Sequence, residues 1–265
     1  MRAKNTTIKK VVEKVIFIIL LLGLWQLIYF LFVDTFHIWK SYAMTSPIGV
    51  IRKIGELFSE KGIYISILTS MKRVLLGYFI SVVLGGALGF LIVKSDYLNR
   101  NLKPIILGFQ TLPSICWVPF AILWYGLSES AIIFVVVIGS TFSIAMAVED
   151  AMKNVDPILV RAARTMGAKG MKVYTKVIFP ASTPMLVSGL KQGWSFAWRA
   201  LMSGEMMSAS VGLGQVLLLG RELADINQVM VVMLLIIILG TVVERFVFRN
   251  IEIRIRRKRG LDRDE

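Results

Sequence analysis

The chain is 265 residues long, 56% hydrophobic and only 18% charged, with a mean hydropathy of +0.70. Soluble domains carry about a quarter charged residues, so this composition excludes a soluble enzyme, a secreted domain and a disordered chain, and predicts an all-α integral membrane protein. One cysteine, Cys116, cannot form an internal disulfide, and one histidine, His37, cannot build a histidine-rich metal site, so neither metal nor cofactor is expected. The net charge of +14 does not point to nucleic acid, because the basic residues fall mostly between the apolar runs.

In chain order, uncharged runs cover Val15 to Val33 (19 residues), Val74 to Val93 (20) and Ala131 to Val148 (18). Each is long enough for a hydrocarbon core of about 30 Å at about 1.5 Å per residue. The first follows the basic flank Arg2, Lys4, Lys9, Lys10 and Lys14 and is too long for the apolar part of a signal peptide, so a retained helix is expected. Three further runs are interrupted. Pro104 to Tyr125 holds Pro113 and Pro119, expected to kink it; Pro184 to Met207 holds Lys191, Arg199 and Glu205; a short run from Val229 extends to Phe248. Six spans result, at about 15–33, 68–93, 104–125, 131–149, 184–207 and 228–248, in a single domain over 1–265, with both termini in the cytoplasm. The basic residues fit this orientation in the plasma membrane, with 22 in inside segments against 7 outside, Arg73 among the latter.

Between the first two spans, Ser46-Pro47 forms a cap and proline start for a short amphipathic helix bearing Ile48, Ile51, Ile54, Leu57 and Phe58, with Gly62 as its stop. It reads as a dock for an external partner or as a helix lying on lipid.

The inside connection at 150–180 is far longer than the usual 2 to 8 residues between helices. Asp156-Pro157 starts a helix and Gly167 is placed to close it in a left-handed conformation. A second helix is expected from about Lys169 to Phe179, stopping at Pro180, before Thr183-Pro184 starts the fifth span. This helix-Gly-helix elbow carries Arg161, Arg164, Lys169, Lys172 and Lys176, which suit anionic lipid. The small pair Ala162-Ala163 suits instead a helix seated in the groove of a cytoplasmic partner.

The elbow resembles the signature of the membrane-spanning permease subunits of ATP-binding cassette importers. That signature reads Glu-Ala-Ala, three residues, Gly, nine residues, Ile-x-Leu-Pro; here it stands as Arg161-Ala162-Ala163, Gly167 and Val177-Ile178-Phe179-Pro180, with Arg161 in place of the acidic residue. The likeness extends through Ser46-Pro47, Ser70 to Gly77, Leu112 to Gly126, Gly189 to Met206 and Gly212-Leu213-Gly214, and is similar to the nitrate, sulfonate, taurine and bicarbonate branch. It implies a type I importer fold whose six-span subunit forms a homodimer, lines the translocation path, and rests its elbow, at Arg161, Ala162, Ala163, Gly167 and Pro180, on a cytoplasmic ATPase subunit. An extracytoplasmic substrate-binding protein would deliver the solute. No Gly-x4-Gly-Lys-Ser/Thr loop is present, so ATP hydrolysis belongs to a separate subunit.

Charges at bilayer depth cost several kcal/mol unless paired or hydrated. Lys191, Ser195, Trp198, Met202 and Glu205 fall on one helical face, assigned to the bundle interior or the path. Either Lys191 and Arg199 make a positive route for an anion, or Lys191 reaches the inner interface and Arg199 pairs with Glu205 or a carbonyl. Gln110, Thr111, Pro113 and Ser114 form a broken polar stretch, read as a gate or as a packing kink. Trp194 and Trp198 suit core as well as substrate, and Gly77, Gly85, Gly86 and Gly89 suit close helix packing. The expected cargo is a small anion such as a sulfonate, taurine, nitrate or bicarbonate; a thiamine-pyrimidine or riboflavin-type vitamin precursor is the alternative. An ion-coupled carrier or channel would need a mid-membrane carboxylate, and a lipid enzyme would need clustered acids. Glu149-Asp150 reads as the end of span four and Asp264-Glu265 as the carboxyl terminus, so neither pair serves.

Overall fold

A computed structural model describes residues 2–40, 43–208 and 210–258; the terminal acidic pair Asp264-Glu265 lies outside the described residues. Everything regular among them is helical. The helices are α1 (Arg2–Tyr29), α2 (Pro47–Ser59), α3 (Lys61–Lys94), α4 (Asp96–Gln110), α5 (Val118–Tyr125), α6 (Glu129–Lys153), α7 (Pro157–Thr165), α8 (Met171–Val173), α9 (Phe179–Met207), α10 (Leu213–Glu222), α11 (Ile226–Val243) and α12 (Arg249–Lys258). The chain groups into two compact units, residues 1–64 with 216–235, and residues 65–215 with 236–265.

Four helical stretches of the described residues are long and apolar enough to cross a membrane: Val12–Thr35, Lys61–Lys94, Glu129–Lys153 and Ile226–Ile255. The pair Asp96–Gln110 and Ser114–Tyr125, bent by 99°, makes a fifth if counted as one span. The expected six are therefore not reached. The missing one is α9, which has 29 residues but holds Lys191, Arg199, Glu205 and many Ser and Gly residues, so length is not matched by apolarity.

In the first unit, α2 is capped as its sequence dictates: the Ser46 hydroxyl accepts the Gly49 N–H at 3.0 Å and Pro47 opens the helix. Its buried face is Val50 and Leu57, packed with Val231, whereas Ile48 and Ile51 are exposed. Gly62 does not end it; α2 stops at Ser59 and Gly62 lies within α3. Trp25 donates to the Thr45 carbonyl at 3.0 Å, and the Thr45 hydroxyl donates to the Asn227 side chain. Lys53 meets Asp225 at 2.8 Å. The hydrogen bond to Asp225 raises the Lys53 pKa; burial works against the Asp225 carboxylate, but Lys53 and the Gln228 N–H hold its pKa below the ordinary value. The pair's contribution is thus present in the neutral range and lost as acid protonates Asp225.

In the second unit, α3, α6 and α9 pack around Val74, Ile132, Val136, Ala197 and Leu201. Lipid is as apolar as these side chains, so close approach, not escape from water, decides the packing. Small residues supply it. A Cβ on Gly85 would sit 2.6 Å from the Thr141 carbonyl, and one on Gly77 would sit 2.6 Å from Val136 Cγ1, while Gly86, expected to serve likewise, faces open space. Trp194 and Trp198 are core residues, stacked at 5.9 Å, with indole N–H groups donating to the Gly240 and Ile236 carbonyls.

A buried ion knot fixes the register of the same helices. Glu205 is fully buried and receives Arg73 Nη1 at 3.0 Å and the Gly214 N–H at 2.9 Å, with the Ser70 hydroxyl 2.7 and 2.8 Å from its two oxygens. Ser70 in turn accepts the Leu213 N–H, and Arg73 reaches the Val211 carbonyl and Glu129. Gly212 has no room for a side chain, since a Cβ would lie 2.5 Å from the carboxyl carbon of Glu205. Two sequence readings are corrected here. Arg73, counted with the outside cations, is 3% exposed and lies within α3; Glu205 pairs with it and not with Arg199.

Two stability predictions follow from this packing. Gly85→Val forces α3 off α6 and should destabilise the detergent-solubilised protein by about 1–3 kcal/mol, whereas Gly86→Val should leave the thermal midpoint unchanged. Arg73→Met strands a buried carboxylate and should cost about 3–5 kcal/mol. Adding Glu205→Gln should recover part of that loss, and an additive double mutant in thermal unfolding would refute the coupling.

Candidate functional site

The third apolar run breaks where its chemistry requires. Pro113 has no N–H to donate and disfavours helix at Leu112, so α4 ends at Gln110 and the chain turns by 99°. Thr111 closes the end by donating to the Gly108 carbonyl at 2.7 Å, and a 3-10 turn, Ser114–Trp117, leads into α5. Pro119 makes no kink, because it occupies the first turn of α5, where a missing N–H costs nothing. The break packs on α6 and α9 through small groups: a Cβ on Gly139 would lie 2.7 Å from the Ala200 Cβ and 3.4 Å from that of Ser114.

Around this break lies a cavity of about 480 Å³. Its polar lining is Gln110, Thr111, Ser114, Arg199 and Ser203; its apolar lining includes Pro113, Phe109, Trp117, Phe142 and Phe196. Gln110, Pro113 and Arg199, singled out in the sequence, therefore share one wall system. The Arg199 guanidinium lies 4.5 Å from the Phe196 ring centre, and its Nε donates to the Ser195 carbonyl at 3.1 Å. Among the described residues no carboxylate stands at ion-pair distance from Arg199, while Arg73, Lys103, Lys153 and Lys191 each meet one. The buried Gln110 Oε1 accepts no hydrogen bond.

The remaining sequence candidates lie elsewhere. Lys191 bonds Glu244 at 2.7 Å, with both side chains partly exposed. Trp198 is core, and Glu205 belongs to the Arg73 knot. A second cavity of about 280 Å³ is bordered by Trp194, Trp198, Arg199 and Glu244.

The elbow begins as its capping residues dictate. The Asp156 carboxylate accepts the Ile158 N–H at 2.8 Å, Pro157 opens α7, and Gly167 closes it at φ +88°. Gly170 turns the chain again at φ +56°, and Arg161, Ala162, Ile158 and Met166 are exposed, the last at 88%. Beyond it the structure corrects the sequence. The second helix does not stop at Pro180: it runs through a π turn, Tyr174–Ile178, directly into α9, with Pro180 in the first turn and Thr183 and Pro184 inside the helix. A π turn shifts the hydrogen bonds by one residue, a local adjustment that lets a helix tolerate proline.

One feature at the base of the elbow escaped sequence reasoning. Glu149, near the end of α6, is fully buried and meets Lys103 of α4 at 2.7 Å and Lys153 at 2.6 Å; Lys153 also donates to Asn99 of α4 at 2.7 Å. The i,i+4 spacing of Glu149 and Lys153 was the available signal. The ion clamp ties the start of the elbow to the first half of α4, whose last residue, Gln110, borders the cavity.

Residues 77–257 match the family model described as binding-protein-dependent transport system inner membrane component. A putative ABC transporter permease protein of Methanocaldococcus jannaschii is 33% identical over 177 residues, covering 66% of each chain. A nitrate import permease protein of Leptolyngbya laminosa is 28% identical over 217 residues, covering 78% of this chain and 75% of the relative. A chain of the MetNI methionine ABC transporter, solved in inward-facing conformations, superposes with a TM-score of 0.64 at 22% identity over 73% of this chain and 96% of its own, which shows a common fold. The chain therefore belongs to the family of binding-protein-dependent transport system inner membrane components: it is a multi-pass permease subunit of an ATP-binding cassette importer, without enzymatic activity of its own.

Proposed function

We propose that the chain forms the translocation path for a small anion, and that the cavity at the bend of α4 and α5 lies on that path. The observation that carries this reading is Arg199, a cation on a cavity wall that no carboxylate of the described residues neutralises. Its side chain is exposed at the cavity, and a positive charge on the wall of a solute route attracts a passing anion. The nitrate import permease among the relatives fits the same class of cargo. In this reading α9 is the sixth span, sheltered by neighbouring helices because its charges forbid lipid; two copies line the path; both termini face the cytoplasm.

Movement enters at the elbow. A cytoplasmic ATPase subunit holds α7 at Arg161, Ala162, Ala163 and Gly167, where a small-residue face and the exposed Met166 suit a protein groove. Closure of the ATPases displaces α7 and with it the end of α6. Through Glu149, Lys103, Lys153 and Asn99 the displacement reaches α4, a lever of 15 residues and roughly 22 Å. Its far end carries Gln110 and Thr111 into or out of the cavity as a rigid body.

Uptake by cells expressing the whole transporter tests both parts. Arg199→Gln should lower uptake at least tenfold with assembly intact, whereas Lys191→Met, whose ammonium already has Glu244, should cost less than threefold; equal uptake by wild type and Arg199→Gln would refute the anion path. Glu149→Gln should abolish uptake while the purified complex still hydrolyses ATP. Parallel loss of hydrolysis and uptake would show a merely structural role.

A further inference from the structure

The last apolar helix runs on after its apolar sequence ends. From Ile226 to Val243, α11 has 18 uncharged residues and a length of roughly 27 Å, close to the thickness of the hydrocarbon core. Glu244 therefore stands at the headgroup layer, yet the helix passes through a π turn, Glu244–Phe248, and continues as α12 to Lys258. One face of this extension is spent on protein: Phe248 is buried in the cluster of Val187 and Trp194, and Ile255 packs against it. The outward residues are of two kinds. Arg245, Arg249 and Arg254 are exposed, and so are Phe246, at 66%, Val247 and Ile251.

Neither water nor hydrocarbon alone suits such a surface. Water would leave Phe246 and Ile251 uncovered, and hydrocarbon would strip three guanidinium groups of their hydration. The boundary between the two suits both, with apolar side chains among acyl chains and guanidinium groups among phosphates. The protein does not neutralise these arginines. Glu244 is bound to Lys191 at 2.7 Å, Glu252 is half-buried, and among the described residues no ion pair or side-chain hydrogen bond engages Arg245, Arg249 or Arg254.

We infer that this extension binds anionic phospholipid, with Arg245, Arg249 and Arg254 on headgroup phosphates and Phe246, Val247 and Ile251 against the acyl chains. A guanidinium fork accepts two phosphate oxygens at once, and a basic side chain at an anionic surface strengthens binding about fivefold. Through Phe248 and the Lys191–Glu244 pair the lipid contact reaches α9, the helix that carries Arg199. Nothing in this contact depends on the cargo or on which side of the membrane α12 lies.

The test is titration of the full chain in detergent with phosphatidylglycerol or phosphatidylcholine of matched acyl chains, read by native mass spectrometry. The wild type should bind phosphatidylglycerol about tenfold more tightly or better. Arg245→Gln, Arg249→Gln and Arg254→Gln combined should bring that preference below about threefold and leave phosphatidylcholine binding unchanged, a selective loss that misfolding would not produce. Lysine at the same three positions should keep most of the preference, because the charge remains. Equal binding of the two lipids by the wild type, or a preference that survives the triple glutamine variant, would overturn the inference. Displacement of phosphatidylglycerol by millimolar inorganic phosphate would also overturn it, as the mark of a site for the free anion. So would a preference abolished by Lys172→Gln with Lys176→Gln, which would place the lipid at the elbow.

Discussion

A charge inside a low-dielectric bundle has to be answered, and that constraint organises the second unit of this permease. Glu205 and Glu149, both fully buried, are each met by a basic side chain from a different helix. Between membrane helices the hydrophobic effect gives no preferred register, because lipid competes equally for every apolar face. Ion pairs and glycine contacts do, since each is satisfied at one position only. The Glu205 knot joins α3, α9 and residues 211–214 through the side chains of Ser70 and Arg73 and the Leu213 and Gly214 N–H groups, and the Gly77 and Gly85 contacts bring α3 onto α6 without side chains between them. Arg199, on the cavity wall, has no such carboxylate among the described residues.

The same logic separates what is fixed from what can move. Where α3, α6 and α9 meet, rings, glycines and the Glu205 knot lock several positions along each helix. By contrast, α4 lies along one face of α6, through Asn99 and Lys103 on Lys153 and Glu149, the buried Ile106 beside Ala145 and Met146, and Phe109 stacked on Phe142. A helix fastened along one face of its neighbour is carried with it as a rigid body. In the proposed mechanism the bend at Pro113 is where such displacement changes the shape of the cavity.

Much of this was legible where the determinant is local. Ser46-Pro47, Asp156-Pro157 and Gly167 specify caps and turns within a few residues, and the structure places them so. Partner choice was not legible. Arg73 follows Lys72 in a stretch that reads as a polar flank, and only the folded bundle brings Glu205, 132 residues away, onto it. Glu149 likewise looked like a helix end until Lys103 covered it. Pro180 reads as a stop and Thr183-Pro184 as a new start, yet the π turn at Tyr174–Ile178 lets one helix run through both, a compensation that no single-residue rule encodes. Gln110, Pro113 and Arg199 could be nominated one by one, but their convergence on one cavity depends on how α4, α6 and α9 pack.

The failure of α9 to qualify as a lipid-crossing helix is itself informative. A helix that lines a route for a polar solute cannot be uniformly apolar, because the solute must exchange its hydration for side chains and carbonyls along the way. Its sequence then resembles that of a soluble helix, and its place has to be secured by its neighbours. In α9 those neighbours cover Trp194, Ala197, Trp198, Ala200 and Leu201, while Arg199 between them turns to the cavity. In the proposed mechanism this is why a helix with three charged residues is covered by its neighbours over much of its length and still brings a cation to the bend.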